Sequence, residues 1–167
     1  MNFIVESERL LIRPFKLADT EEYYQMTRDP IVRKYVPFAC ENTLEETYST
    51  IDMYYSHGDC VNDFYLVLEE KESHKLVGAI IATARKTIPL TLDVCILTNV
   101  NFRRKGFMLE ALTAFKDALP KSTELIFVVD KNNEASKNTV TKLPGIKEKN
   151  FSDTIEENNT IQFSVTT

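Results

Sequence analysis

The chain has 167 residues, 43% of them hydrophobic and 27% charged, with a formal net charge of −5. That length suits a single domain over residues 1–167, and the balance excludes a disordered tail. The longest apolar runs, Val77–Ala82 and Leu125–Val129, fall far short of the roughly 20 residues that a membrane span needs, and the acidic balance argues against a general nucleic-acid binder.

Met1-Asn2-Phe3-Ile4-Val5-Glu6 has neither a basic nor an apolar signal-peptide region, so secretion is not expected and a cytoplasmic location is. Residues 7–15 contain a short strand closed by Pro14. Asp19 with Glu22 has the spacing of a capping box and predicts a helix through about Thr27, ended by Asp29-Pro30. Thr43 with Glu46 repeats the signal and opens a helix to His57, with Gly58 as its stop. Phe64–Leu68 and Leu76–Ile81 flank a polar turn and predict an antiparallel hairpin.

Leu90–Leu97 reads as another strand. A helix from about Lys105 to Leu119 follows, with Met108, Ala111, Leu112, Phe115, Ala118 and Leu119 on one face and Pro120 as its stop. Leu125–Val129 is continuously apolar, which suits a strand buried on both faces. Asn133 caps a short helix ending at Leu143-Pro144-Gly145, and Ile161–Val165 alternates as a last strand. The stretch from Leu90 to Val129 is therefore expected to be a parallel strand–helix–strand crossover.

Only four glycines occur, and none falls into G-x-G-x-x-G or G-x-x-x-x-G-K-[ST], which disfavours a dinucleotide fold and a P-loop. Cys40, Cys60 and Cys95 are odd in number and lack a C-x-x-C, so they read as reduced, mostly core thiols. With His57 and His74 as the only histidines, neither a metal site nor a Cys–His nucleophile is expected.

The densest positive cluster, Arg103-Arg104-Lys105, meets Gly106 at a strand-to-helix junction. A helix N-terminus offers unpaired N–H groups and a positive dipole end, and a glycine there admits close approach by a phosphate. A solvated basic turn accounts for the charge equally well. The segment Arg103-Arg104-Lys105-Gly106-Phe107-Met108, continued by Glu110-Ala111-Leu112, resembles the acyl-CoA-binding motif of the GNAT acetyltransferases. Glu8–Phe15 with Asp19 resembles the opening of the ribosomal-protein (Rim-type) N-acetyltransferase branch. Leu76-Val77-Gly78 and Asn133-Glu134-Ala135-Ser136 match its third strand and its Asn-x-x-Ser helix start. Met108 departs from the motif's final Gly/Ala and is expected to set a bulky side chain beside the phosphate cradle. Pro144, and Leu92-Asp93-Val94-Cys95 in place of Ala-Glu-Ile-Gly, depart as well.

The resemblance implies an α+β GNAT fold: a mixed, mostly antiparallel sheet with helices on both faces and a parallel β-α-β unit. It implies acetyl-CoA as co-substrate, no metal, and acetyl transfer to a primary amine, whether a protein N-terminus or a small molecule such as a polyamine or amino sugar. A non-catalytic acyl-CoA-binding module, as monomer or homodimer, is the reading from another class. The resemblance implies that the N–H groups of Arg104, Gly106, Phe107 and Met108 hold the pyrophosphate and that Arg103 and Lys105 add charge. It implies too that a splayed gap between the Leu90–Leu97 and Leu125–Val129 strands receives the pantetheine arm, with Asn133 and Ser136 among the acyl-CoA contacts, and that a backbone N–H in Val94-Cys95-Ile96 meets the oxyanion. Direct attack by the amine needs no protein nucleophile, in keeping with the scarce histidines. Asp93, interrupting an apolar strand, is the first candidate base, or else an outward-facing strand residue paired with a lysine. Ser136 is a candidate proton donor to the leaving thiolate, or else a first-turn capping residue. Tyr35-Val36-Pro37-Phe38 is a candidate acceptor wall.

Overall fold

The computed structural model describes residues 3–57, 63–149 and 159–167. Among them lie eight strands: β1 (Val5–Glu6), β2 (Leu10–Pro14), β3 (Phe64–Glu70), β4 (Leu76–Ala84), β5 (Thr91–Thr98), β6 (Glu124–Asp130), β7 (Lys147–Lys149) and β8 (Thr160–Thr166). They form one sheet in the order β1-β2-β3-β4-β5-β6-β8-β7. Every pairing is antiparallel except β5 with β6, the crossover that the sequence predicts. The helices are α1 (Thr20–Thr27), α2 (Pro30–Tyr35), α3 (Leu44–His57), α4 (Phe107–Ala118) and α5 (Glu134–Val140).

Period-two alternation splits the sheet's apolar residues between two cores. On one face Leu92 and Val94 of β5 pack with Phe107, Met108, Leu112 and Phe115 of α4 and Val140 of α5. On the other, Leu97 packs with Tyr23 and Met26 of α1 and with Ile51 and Tyr54 of α3. Helices on both faces of a mixed sheet are the α+β arrangement expected, and each fully buried large side chain adds about 1.5–3 kcal/mol.

Local signals hold where nothing distant competes. The α3 capping box forms, with Glu46 N donating to Thr43 Oγ1 at 3.1 Å and Thr43 N to Glu46 Oε2 at 3.1 Å. Gly58 and Cys60 lie outside the described residues. The Asp19/Glu22 box of α1 does not form. Asp19 instead takes a two-pronged bond from Arg13 at 2.8 and 2.8 Å, and Glu22 accepts from Leu76 N at 3.0 Å. A buried guanidinium outcompetes a helix amide for a carboxylate, because the charge pair strengthens where water is scarce.

Asp29-Pro30 does not end the helical region but starts α2. Asp29 Oδ1 accepts from Ile31 N and Val32 N, and Pro30 fills the first helical position, where its missing N–H costs nothing. β6 is not buried on both faces, since Val128 is 53% exposed. The exposed β7 was not anticipated, as Lys-Glu-Lys carries no apolar alternation.

Candidate functional site

The basic cluster forms the turn before α4 rather than its first helical turn: the helix begins at Phe107, with Gly106 as N-cap. Gly106 has φ of 79° and Arg104 has φ of 64°, so this short turn places two residues in the left-handed region. Glycine takes that conformation freely. An arginine there stores strain that surrounding contacts must hold, and such strain concentrates at functional turns. Arg104 and Lys105 are exposed, and among the described residues neither forms an ion pair. Acidic Glu110 occupies the first turn of α4.

In the strand that leads to this turn the sheet opens. β5 and β6 pair only at Thr91↔Glu124, Leu92↔Leu125 and Asp93↔Ile126, although β5 runs on to Thr98 and β6 to Asp130. From Val94 onward the edge of β5 toward β6 has lost its ladder, so main-chain groups of Val94, Cys95 and Ile96 border a gap. That gap, the turn at 103–106 and the start of α5 are the three places to which the resemblance assigns the acyl-CoA. Helix α2 is tied at both sides of the gap. Asp29 at its start accepts from Arg103 Nη2 at 2.8 Å, and Tyr35 at its end donates through Oη to Asn132 O at 3.1 Å. Burial works against the charged form of Asp29, yet the bonds from Arg103, Val32 N and Ile31 N hold its pKa below the ordinary carboxylate value.

The individual side chains divide. Met108 does not crowd the turn. It points into the core, 5% exposed, with Cε near Gly78, because the apolar stripe of α4 draws it inward. Asp93 is not in the desolvated setting expected of a strand interruption. Its carboxylate is 44% exposed and takes both oxygens to Arg85, at 2.7 and 2.8 Å. It is thus the outward ion pair foreseen as the alternative, with an arginine in place of a lysine. Ser136 is half-buried in the first turn of α5, and its N–H donates to Asn133 Oδ1 at 3.1 Å, so Asn133 is the N-cap predicted. Burial, then the nearby Cys40, pushes the Cys95 thiol up to about 12, and Cys40 is raised as well. Both shifts disfavour the thiolate, so neither sulfur has the lowered pKa of an activated nucleophile. Of the tyrosines, Tyr23 and Tyr54 are core, whereas Tyr48 and Tyr55 are exposed, and Phe38 of the expected acceptor wall is 70% exposed.

Two residues that touch the turn, Arg9 and Glu110, lie in segments that the resemblance singles out, but no local signal joins them. Arg9 Nε donates to Glu110 Oε2 at 2.7 Å, Arg9 Nη1 donates to Lys105 O at 3.0 Å, and the guanidinium carbon lies 4.2 Å from the Phe107 ring centroid. Glu110 Oε1 also accepts from Ser7 Oγ at 2.7 Å and Arg9 N at 2.8 Å. Burial opposes the Glu110 charge, but these bonds hold its pKa below the ordinary carboxylate value. The two segments are about a hundred positions apart, so only the fold joins them.

Among the described residues no cluster of acidic, histidine or cysteine side chains has the makings of a metal site, and no helix is long and apolar enough to cross a membrane. No curated protein matches the chain. Among solved structures the chain is similar to a GNAT-family acetyltransferase from Bacillus anthracis, at 22% identity with a TM-score of 0.79 and 98% of each chain covered. It is similar to the ribosomal-protein-S5-alanine acetyltransferase of Vibrio fischeri, at 17% identity and a TM-score of 0.72, over 98% of this chain and 96% of that one. It is also similar to the microcin C7 self-immunity acetyltransferase MccE, solved with acetyl-CoA and AMP, at 14% identity and a TM-score of 0.76, over 96% and 93% of the two chains. At these identities the likeness establishes the fold. A family profile, the acetyltransferase (GNAT) domain, matches residues 9–144 and thus spans the strained turn, the opened β5–β6 pair and the start of α5. The chain belongs to the GNAT acetyltransferase family.

Proposed function

We propose that this acetyltransferase uses acetyl-CoA to acetylate a primary amine, and that its acceptor is the N-terminus of a protein or peptide. The observation that carries the proposal is the left-handed Arg104–Gly106 turn leading into α4, preceded by a β5 that stops pairing with β6 after Asp93. A phosphate-bearing thioester with a narrow arm fits such a place: its pyrophosphate against N–H groups, its arm in the gap. In this reading the N–H groups of Arg104, Gly106, Phe107 and Met108 face the pyrophosphate, and Arg103 and Lys105 supply charge. Asn133 fixes the start of α5 at the far side of the gap.

The chemistry asked of the protein is modest. A neutral amine attacks the thioester carbon, the C–N bond forms, the C–S bond breaks, and the thiolate takes a proton. In this reading a main-chain N–H of Val94, Cys95 or Ile96 stabilises the oxyanion, and Ser136 protonates the departing sulfur. An α-amino group has a pKa near 8, so part of it is already neutral at physiological pH, and its proton passes to solvent through water. Similarity to a ribosomal-protein acetyltransferase supports a protein N-terminus over a free small amine.

The test is thermal shift and thiol-release turnover with acetyl-CoA against a panel of N-terminal peptides, polyamines and amino sugars. Acetyl-CoA at about 100 times its dissociation constant adds near 2.7 kcal/mol, which shows plainly in a melting curve. Peptide turnover is the expected result. No thermal shift at millimolar acetyl-CoA sinks the cofactor reading, and turnover of small amines alone sinks the acceptor reading.

A further inference from the structure

We infer that Arg9 is a positioning residue that aims the Gly106 N–H at the acyl-CoA pyrophosphate; this rests on the acyl-CoA reading above and deepens it. The argument begins with one peptide unit. Arg9 Nη1 donates to the carbonyl oxygen of Lys105 at 3.0 Å. In a trans peptide the carbonyl and the following N–H point in opposite directions. Fixing the Lys105 carbonyl on Arg9 therefore turns the Gly106 N–H away from Arg9. The unit most in need of such fixing is one followed by glycine. Gly106 sits at φ of 79° but tolerates either sign of φ, so little in its own backbone resists rotation of the preceding plane.

The rest of the Arg9 environment holds the guanidinium still. Nε and Nη2 both reach Glu110 Oε2, at 2.7 and 2.6 Å, and the plane lies over Phe107 at 4.2 Å. Glu110 is itself fixed by Ser7 Oγ and Arg9 N. Glu110 and Phe107 both belong to the first turn of α4, so Arg9 grips the helix start and the turn before it together. A lysine cannot reproduce this: one ammonium is a point donor without the fork that meets a carboxylate and a carbonyl at once. The side chain is 42% exposed, so the arrangement is not explained as core packing.

The probes are coenzyme A and pantetheine, which lacks the pyrophosphate and nucleotide. NMR titration of the full chain gives both dissociation constants in wild type, Arg9→Met and Arg9→Lys. The ratio of the two constants is the readout, since a general loosening of the fold weakens both ligands alike. Arg9→Met should narrow the preference for coenzyme A by roughly 10-fold, the scale of one strong hydrogen bond misdirected. Arg9→Lys should not restore it. An unchanged ratio in Arg9→Met, or a wild-type ratio in Arg9→Lys, overturns the inference; should Arg9→Met fail to fold, Arg9→Lys decides alone. A wild-type protein that binds neither probe overturns the acyl-CoA reading and this inference with it. A wild-type preference that survives in the variants overturns only the role of Arg9.

Discussion

Asp93→Asn separates the two tasks that a carboxylate on β5 can perform. Both Asp93 oxygens bind a single guanidinium, with Arg85 Nη2 at 2.7 Å and Nε at 2.8 Å. The partners are 29% and 44% exposed, so solvent screening keeps the pair in the range of surface bridges, about 0.5–1 kcal/mol. In a chain of this length each 1 kcal/mol moves Tm by about 2–4 °C, so the substitution should lower Tm by about 1–4 °C. A base must reach the amine, and here the Arg85 fork holds the carboxylate on itself. The pair also lies where β5 and β6 are still joined, at Asp93↔Ile126, rather than in the gap. We therefore expect kcat to stay within roughly 10-fold of wild type, short of the 100-fold or greater loss usual for a general base. The assay is thiol release at saturating acetyl-CoA and peptide across the pH range in which the amine titrates, with acetyl-CoA affinity measured beside it. Arg85→Met should lower Tm by a similar amount, and the double variant should fall little further, because one pair is being broken twice. A 100-fold fall in kcat with acetyl-CoA affinity intact and the acidic limb of the profile lost would refute this reasoning and make Asp93 the base.

Three further outcomes follow from particular contacts. Gly106→Val should cost about 1–2 kcal/mol, because φ of 79° is strained for any residue with a Cβ, and should weaken acetyl-CoA binding by calorimetry; wild-type affinity would move the phosphate site elsewhere. Gly78→Ala should lower Tm although alanine is the better strand former: its Cβ would meet the Leu97 carbonyl oxygen on β5 and stand 3.3 Å from Met108 Cε, an overpacking cost of about 1–3 kcal/mol. Urea unfolding that gives equal or higher stability would contradict that geometry. Glu110 has a lowered pKa in the folded chain, so the stability it contributes is present above its ordinary value of 4.5 and is lost as pH falls through the lower folded value. Wild type should thus lose more stability than Glu110→Gln between neutral pH and pH values below about 4.5, and parallel losses would show that the Ser7–Arg9–Glu110 contacts carry no charge-linked stability.

The amino-acid order determined on its own whatever depends on residues a few positions apart. The Thr43/Glu46 capping box, the Asn133 cap, the hairpin of β3 and β4 and the buried stripe of α4 are all made from neighbours, so spacing and period were enough. The same local reading located the basic turn at Arg103–Gly106. It failed wherever a group's partner lay on another element, even one a few residues away. Asp19 left its own helix for Arg13, Glu22 left it for the Leu76 amide, and Asp93 turned outward to Arg85 across a strand end. Met108, judged from its place in a motif, was drawn into the core by the apolar face it shares with Leu112 and Phe115. Arg9 and Glu110 meet only because β2 and α4 pack together, some hundred residues apart. Local structure follows from short-range sterics and hydrogen bonds that the chain order lists directly. Which oxygen meets which guanidinium, and which N–H a turn presents, is decided by strand register and packing.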